Sequence, residues 1–188
     1  MPRYARTSVL PVNNLGKFFE TRLLIRVITD DRFYKAGGPV IFYTGNEGGI
    51  DLFCENTGFA REGGEKIGAK IIFMEHRYYG KSIPDGNLTY LSAEQALADY
   101  AQFLYHLKST GTGPVIAMGG SYGGMLAAYI RIKYPNLVAG AIAASAPVKF
   151  FPGLMDCRGF FRVTTRTFSN TPAGHECSDN IRYDVYNT

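Results

Sequence analysis

A six-residue run, Gly119-Gly120-Ser121-Tyr122-Gly123-Gly124, constrains the fold of this 188-residue chain more than any other feature. It follows an apolar segment at residues 115–118 that is typical of a buried strand. It precedes an apolar segment at residues 125–129 that is typical of a helix. Glycines permit a sharp turn between the two because they carry no Cβ atom that would clash. The run therefore predicts a strand, a tight corner with Ser121 at its apex, and a helix that starts at once.

The run contains the Gly-x-Ser-x-Gly pattern, which in a strand–turn–helix context is the nucleophile elbow of α/β-hydrolases. Ser121 is therefore predicted to be a catalytic nucleophile, and a phosphate-binding loop is disfavoured because no Gly-Lys-Ser/Thr follows. The backbone N–H of Tyr122 is predicted to be the first oxyanion donor, because the first N–H groups of a helix lack intrahelical partners. A second donor is expected from the loop after an earlier strand, where Asn46, Glu47 and Gly48 lie. Glu47 has two alternative roles, which are holding a substrate amine and positioning the loop.

Apolar, β-branched segments alternate with helix-like segments along most of the chain. Strands are predicted at residues 22–29, 39–44, 69–75, 115–118 and 137–146. Helices are predicted at residues 58–68, at residues 92–107 after a Ser-x-x-Gln capping box, and directly after the elbow. Because the strands are apolar on both faces and alternate with helices, the sequence predicts an α/β fold with a parallel sheet covered on both sides.

Composition and charge exclude several classes of protein. The formal net charge of +4 comes from scattered Lys and Arg, so no nucleic-acid partner is expected. No apolar run reaches the ~18 residues that a membrane span needs, and the N-terminus lacks the apolar stretch of a signal peptide.

Cys54, Cys157 and Cys177 lack the short spacing of a metal or redox motif. They fit either three ordinary thiols or a secreted protein whose remaining cysteine lies elsewhere. Asn87-Leu88-Thr89 is a weak signal for N-glycosylation.

Five segments occur in an order that resembles one family of serine peptidases. They read FYTGNEG at residues 42–48, EHRYYGKS at 75–82, EQALADY at 94–100, GGSYGGMLAA at 119–128 and AASAP at 143–147. In these segments the chain resembles the amino-terminal half of the family that includes lysosomal Pro-Xaa carboxypeptidase and dipeptidyl peptidase II. The resemblance is strong over residues 22–148 and looser in the tail around Cys157 and Cys177.

The resemblance implies an α/β-hydrolase domain interrupted by a helical cap. It implies a serine exopeptidase that cleaves peptide substrates after proline through an acyl-enzyme on Ser121, without cofactor or metal. It also implies homodimers in the full-length family and a lysosomal or secreted location, which gives weight to a glycan on Asn87. We therefore divide the chain into an atypical N-terminal segment at residues 1–21, a partial α/β-hydrolase domain at 22–148 and the start of a cap domain at 149–188.

The sequence departs from the family pattern after the elbow. The catalytic Asp and His of the family follow the nucleophile in the order Ser, Asp, His. Asp156 and His175 satisfy this order, but we do not expect them to act, because only one predicted strand follows the elbow. The expectation is a truncated chain that carries the nucleophile and is inactive alone.

Three functional hypotheses follow from these observations. The first is a proline-directed serine exopeptidase, either a carboxypeptidase or a dipeptidyl peptidase, which the sequence does not separate. The second is a non-catalytic isoform or fragment that at most binds a partner. The third is a different α/β-hydrolase such as an esterase, which the segments at residues 46–48 and 75–80 disfavour.

Overall fold

The computed structural model describes residues 6–13, 22–83 and 88–187. The chain divides into two compact units, Met1–Val148 and Lys149–Thr188. The first unit contains a six-stranded sheet with helices, and the second contains two helices. The predicted glycosylation acceptor Asn87 lies outside the described residues.

The strands of the first unit form one sheet. They are β1 Arg6–Asn13, β2 Arg22–Asp30, β3 Val40–Thr44, β4 Lys70–Met74, β5 Val115–Gly120 and β6 Gly140–Ala144. The strand order is β1-β2-β4-β3-β5-β6. Four adjacent strands, β4, β3, β5 and β6, pair in parallel, which confirms the predicted α/β fold. The remaining pairs, β1 with β2 and β2 with β4, are antiparallel, so the sheet is mixed where only parallel pairing is predicted.

Helices cover both faces of this sheet. They are α1 Ile50–Asn56, α2 Gly58–Ile67, α3 Ala93–Lys108 and α4 Ser121–Lys133, with a 3-10 turn at Leu88–Tyr90. One hydrophobic core contains residues of α3 and α4, and a second core contains residues of α1 and α2. Phe42 of β3 lies in the first core and its neighbours Ile41 and Tyr43 lie in the second. This division follows from the strand geometry, because successive side chains point to opposite faces.

The boundaries differ from the sequence prediction in three places. β1 pairs with β2 over its whole length, whereas residues 1–21 are predicted only as an atypical segment. α1 has seven residues, which is too short for a periodic pattern, and no helix is predicted there. β6 covers five residues instead of the predicted 137–146. By contrast, α3 begins where the capping box places it, with Ser92 Oγ accepting a 3.3 Å hydrogen bond from the Gln95 N–H.

The second unit consists of α5 Gly159–Ser169 and α6 Gly174–Asn187, which pack against each other. No residue of α5 is buried, and Phe160, Phe161 and Val163 are exposed. Helices therefore occupy the segment interpreted as the start of a cap. Its role as a cap stays a prediction.

Two adjacent glycines lie in the middle of α2, where glycine normally weakens a helix. A Cβ on Gly64 would lie 2.8 Å from Ile71 Cδ1 of β4, whereas a Cβ on Gly63 would meet nothing within 4 Å. Gly64 therefore sets how closely α2 approaches the sheet.

We expect Gly64→Ala to lower the free energy of unfolding by about 1–3 kcal/mol, because the added methyl overfills the contact between α2 and β4. The matched variant Gly63→Ala should raise it by about 0.5–1 kcal/mol, since alanine favours a helix interior over glycine. Urea unfolding followed by circular dichroism measures both changes. Effects of the same sign would contradict the described packing of α2.

Candidate active site

The predicted corner is present at Ser121. β5 ends at Gly120 and α4 begins at Ser121, with no residue between them. The Ser121 backbone has φ of +53°, in the left-handed region that residues other than glycine seldom adopt. The residue is exposed. A strained backbone at an exposed serine is the local geometry of a nucleophile elbow.

The glycines around Ser121 are required by close approach of backbone segments. A Cβ on Gly119 would lie 2.3 Å from the carbonyl carbon of Gly123. A Cβ on Gly123 would lie 2.3 Å from Asn46 Oδ1 and 2.6 Å from the carbonyl oxygen of Thr44. Neither glycine has a positive φ, so the constraint at both positions is space.

Two side chains at the end of β3 hold the elbow through its carbonyl groups. The Thr44 hydroxyl lies 2.7 Å from the Gly123 carbonyl oxygen and 3.1 Å from that of Met118. The Asn46 amide donates a 2.7 Å hydrogen bond to the Gly120 carbonyl, and its Oδ1 accepts one of 2.9 Å from the Tyr43 hydroxyl. Asn46 is buried, and its side chain therefore braces the elbow and leaves only its backbone N–H for a substrate.

The backbone N–H groups of this loop differ in what they contact. Gly48 donates a 2.9 Å hydrogen bond to the Asn46 carbonyl, so its N–H is occupied. Within the described part of the chain, the N–H groups of Asn46 and Glu47 have no hydrogen-bond acceptor. The Tyr122 N–H lies in the first turn of α4, where no side chain caps the helix. The backbone N–H groups of Tyr122 and of Asn46 or Glu47 are therefore free to donate hydrogen bonds at the carboxyl ends of β5 and β3.

Glu47 is exposed and makes no ion pair or hydrogen bond with any described residue. Its carboxylate lies close enough to act on the elbow electrostatically. Burial, followed by the nearby Tyr79 and the Glu47 charge, raises the pKa of Tyr122 to about 12. Tyr122 is therefore a neutral phenol throughout the physiological range.

The loop after β4 is organised around a buried carboxylate. Glu75 accepts hydrogen bonds from the backbone N–H groups of Ile50 and Lys81, both at 3.0 Å, and from the Ser82 hydroxyl at 2.6 Å. These contacts join the start of α1 to the loop after β4. Gly80 has φ of +57°, and a Cβ there would lie 2.0 Å from Glu75 Oε1, so no other residue fits.

A buried ion pair fixes the same loop to α3. Arg77 Nε and Nη2 each donate a 2.6 Å hydrogen bond to Asp99, and neither side chain is accessible to solvent beyond 1%. Arg77 also donates to the Tyr90 carbonyl at 3.3 Å. Burial raises the pKa of Asp99 to about 6, and the hydrogen bond from Arg77 opposes that rise.

His76 lies between this loop and the elbow. Its Nδ1 is 2.6 Å from the Arg77 carbonyl oxygen, which only accepts, so Nδ1 carries the proton. Its Nε2 is 3.0 Å from the Tyr122 hydroxyl. Burial lowers the pKa of His76 and keeps the ring neutral, so Nε2 accepts the hydrogen bond that Tyr122 donates.

No catalytic base for Ser121 is found among the described residues. Both ring nitrogens of His76 are engaged elsewhere, and His106 is exposed on α3. Within residues 6–13, 22–83 and 88–187, no side chain makes a hydrogen bond to the Ser121 hydroxyl. His175 and Asp156 lie in the second unit, where Asp156 pairs with Arg162.

The described residues offer neither a metal-binding cluster nor a membrane-spanning helix. They contain no cluster of three or more His, Cys, Asp or Glu side chains that could hold a metal ion. None of the helices described is both long and apolar enough to cross a membrane.

Comparison with known families identifies the chain. The family described as "Serine carboxypeptidase S28" matches residues 14–187. The chain belongs to the serine carboxypeptidase S28 family. This confirms the resemblance found in the sequence motifs.

The S28 chain is also similar to individual relatives. It is 48% identical over 181 residues to lysosomal Pro-X carboxypeptidase of Pongo abelii, covering 90% of this chain and 36% of the relative. It is 47% identical over 180 residues to that of Homo sapiens, covering 89% of this chain and 35% of the relative. The chain thus spans about a third of the length of these relatives.

A solved structure supports the fold independently. The thioesterase domain from the curacin biosynthetic pathway matches with a TM-score of 0.59 and 16% identity, covering 89% of this chain and 54% of that domain. At this identity the match shows the fold alone, which is that of α/β-hydrolases.

Ser121 and the loop after β3 were predictable from the sequence, whereas the hydrogen bonds of Thr44, Glu75 and His76 around them were not. Each of these residues ends or follows a strand of the parallel part of the sheet. The carboxyl ends of parallel strands meet at one edge, so polar residues at these positions were the signal available.

We expect Asp99→Asn to lower the free energy of unfolding by about 3–5 kcal/mol, because it removes the carboxylate charge that pairs with the buried Arg77 guanidinium. The control is Asp156→Asn, which removes an exposed ion pair with Arg162 and should cause no measurable change. Urea midpoints of the two variants decide between these outcomes. Equal midpoints would show that the Arg77–Asp99 pair does not stabilise the first unit.

Proposed function

We propose that this chain is the nucleophile-bearing part of a serine exopeptidase that cleaves the Pro-Xaa bond at the carboxyl end of peptides. The observation that carries the proposal is the exposed Ser121 at a strained corner, held from β3 by Thr44 and Asn46. Membership of the S28 family supports a peptidase reaction at this serine.

In the proposed reaction, Ser121 Oγ attacks the carbonyl carbon of the proline residue while a base takes the hydroxyl proton. The negative charge moves to the carbonyl oxygen, where the Tyr122 N–H and an N–H of Asn46 or Glu47 donate hydrogen bonds. The C–N bond then breaks and the C-terminal residue leaves as an amine that carries the proton. Water hydrolyses the resulting ester and restores Ser121. Each oxyanion donor is worth about 10²–10³ in turnover in related chemistry.

The base and its orienting acid are proposed to lie outside these residues. No described side chain contacts the Ser121 hydroxyl, and a serine needs a base to be a good nucleophile at neutral pH. The relatives extend well beyond the matched third of their length, which leaves room for a His and an Asp.

Proline specificity, the carboxypeptidase direction and a lysosomal location are proposed from the relatives. Both are named lysosomal Pro-X carboxypeptidase and are nearly half identical to this chain. The names of these two relatives favour the carboxypeptidase over the dipeptidyl peptidase alternative. We also propose a homodimer for the complete enzyme and a glycan on Asn87, in keeping with a lysosomal route.

A non-catalytic role is the second candidate. It is favoured by the lack of a base at Ser121 among the described residues and by the exposure of β6. A protein of this kind would label weakly with serine-directed reagents even when folded.

The test uses the chain itself and a graft in which it replaces the matching segment of the human relative. We expect the isolated chain to react slowly with a fluorophosphonate. We expect the graft to release the last residue from an N-terminally blocked peptide ending in Pro-Phe. Ser121→Ala in the graft should lower kcat by about 10⁴–10⁶, because the nucleophile is removed.

A folded graft that neither labels nor cleaves would support the non-catalytic candidate. Cleavage only of peptides with a free amino terminus and proline in second position would indicate a dipeptidyl peptidase instead.

Glycosylation is tested by expression in a secretory host. We expect a glycosidase-sensitive form that disappears in Asn87→Gln, because this residue is the acceptor of an Asn-x-Thr triplet. The outcome is measured as gel mobility before and after deglycosylation. Unchanged mobility of the wild-type chain after treatment would remove the glycan from the proposal.

A further inference from the structure

We infer that His76 is a positioning residue, which fixes the oxyanion donor of the proposed site by holding the Tyr122 side chain through Nε2. The inference rests on the proposed function, since it assigns His76 to the same site. His76 and Tyr122 are 46 residues apart in the chain and follow different strands.

The hydrogen bond connects the loop after β4 to the first turn of α4, and the strands that lead to them are not neighbours in the sheet. His76 follows β4 and Tyr122 follows β5, while β3 lies between these strands. The Tyr122 hydroxyl lies 3.0 Å from His76 Nε2, and the two ring centroids are 5.4 Å apart. His76 is buried, so its Nε2 has no contact with solvent in the folded chain.

The His76 ring is itself held from the opposite side. Its Nδ1 donates to the carbonyl of Arg77, and the Arg77 side chain is locked to Asp99 on α3. The contacts therefore run from α3 through the loop after β4 to the elbow. A fixed Nδ1–H leaves Nε2 as an acceptor with one defined direction.

The position of Tyr122 matters because the same residue carries the proposed oxyanion N–H. The bonds from Thr44 and Asn46 hold carbonyl groups of the elbow, at Gly120 and Gly123 among others. Among the described residues, His76 alone makes a side-chain hydrogen bond to the residue that follows the nucleophile. Fixing the phenol end of Tyr122 restricts rotation of its backbone, and hence of its N–H.

Burial is the main cause that lowers the pKa of His76 and favours its neutral form. The Arg77 carbonyl and the Glu47 charge favour a second proton on the ring, whereas the Arg77 guanidinium disfavours it. The other neighbours of the His76 ring are the rings of Tyr79 and Tyr122. Because the pKa of His76 is lowered on folding, its contribution to stability is present above the usual histidine pKa. That contribution is lost as the pH falls through the folded value.

Two tyrosines that contact the same imidazole provide a matched pair of variants. Tyr122 bonds to Nε2, whereas Tyr79 packs with its ring at 72° to the imidazole, centroids 5.1 Å apart, and makes no hydrogen bond to it. Tyr122→Phe removes the bond, and Tyr79→Phe removes a hydroxyl from the same surroundings without removing the bond.

The first measurement is ¹⁵N NMR of the histidine rings in the full 188-residue chain during a pH titration. We expect His76 to carry its proton on Nδ1 and to titrate below the ordinary histidine range. Tyr122→Phe should raise the pKa of His76 and shift the backbone amide signals of residues 121–123, and Tyr79→Phe should change neither. A proton on Nε2, or equal effects of the two variants, would overturn the inference.

The second measurement is kinetic and uses the graft. We expect Tyr122→Phe and His76→Phe to lower kcat by about 10-fold with KM unchanged, while His76→Gln, whose side-chain oxygen can accept the bond, retains more activity. An unchanged kcat in Tyr122→Phe would refute the positioning role. If the unmodified graft is inactive, the proposed function fails, and the NMR titration still decides whether His76 holds Tyr122.

Discussion

The close approach of the elbow to the end of β3 is the constraint on which the rest of the site depends. A Cβ on Gly123 would overlap Asn46 and the Thr44 carbonyl, so the two backbones meet only because glycine stands there. That proximity brings the Thr44 hydroxyl and the Asn46 amide within hydrogen-bond distance of elbow carbonyls. A Ser121 backbone with positive φ is unfavourable by itself, and these bonds hold it in place. The close packing at Gly123, the strained backbone of Ser121 and the exposure of this serine therefore depend on one another.

Buried polar groups extend this arrangement to the neighbouring loop. A buried carboxylate or guanidinium is costly unless its hydrogen bonds are satisfied, and apolar residues of similar size often give equal stability. Glu75 nevertheless accepts three hydrogen bonds from two loops, and Arg77 and Asp99 form a fully buried pair. Each of these groups fixes backbone at the carboxyl edge of the sheet. These hydrogen bonds therefore hold in place the backbone that surrounds the proposed oxyanion donors.

The parts of the fold that local chemistry specifies are predictable from the sequence. The corner at Ser121, the strands other than β1 and the start of α3 follow from glycine sterics, apolar runs and a capping serine. The antiparallel pairing of β2 was not recoverable, because a strand buried on both faces has no pattern that reports its direction. The roles of Asn46 and His76 were also hidden, since their partners Gly120 and Tyr122 are distant in the chain. Contacts between strand ends depend on sheet order, which only the structure provides.

Among the described residues, the exposed strand β6 lies beside the strand that leads to the serine without a base. Four of the five residues of β6 are exposed, and β6 is the direct neighbour of β5, the strand that leads to Ser121. The described residues supply no base to this serine. An element that paired with the free side of β6 in parallel would place the residues after its own end along the same edge as Ser121. The docking of one such element would therefore have two effects. Burial of β6 would contribute the binding energy, and the residues after the new strand would supply the base for Ser121.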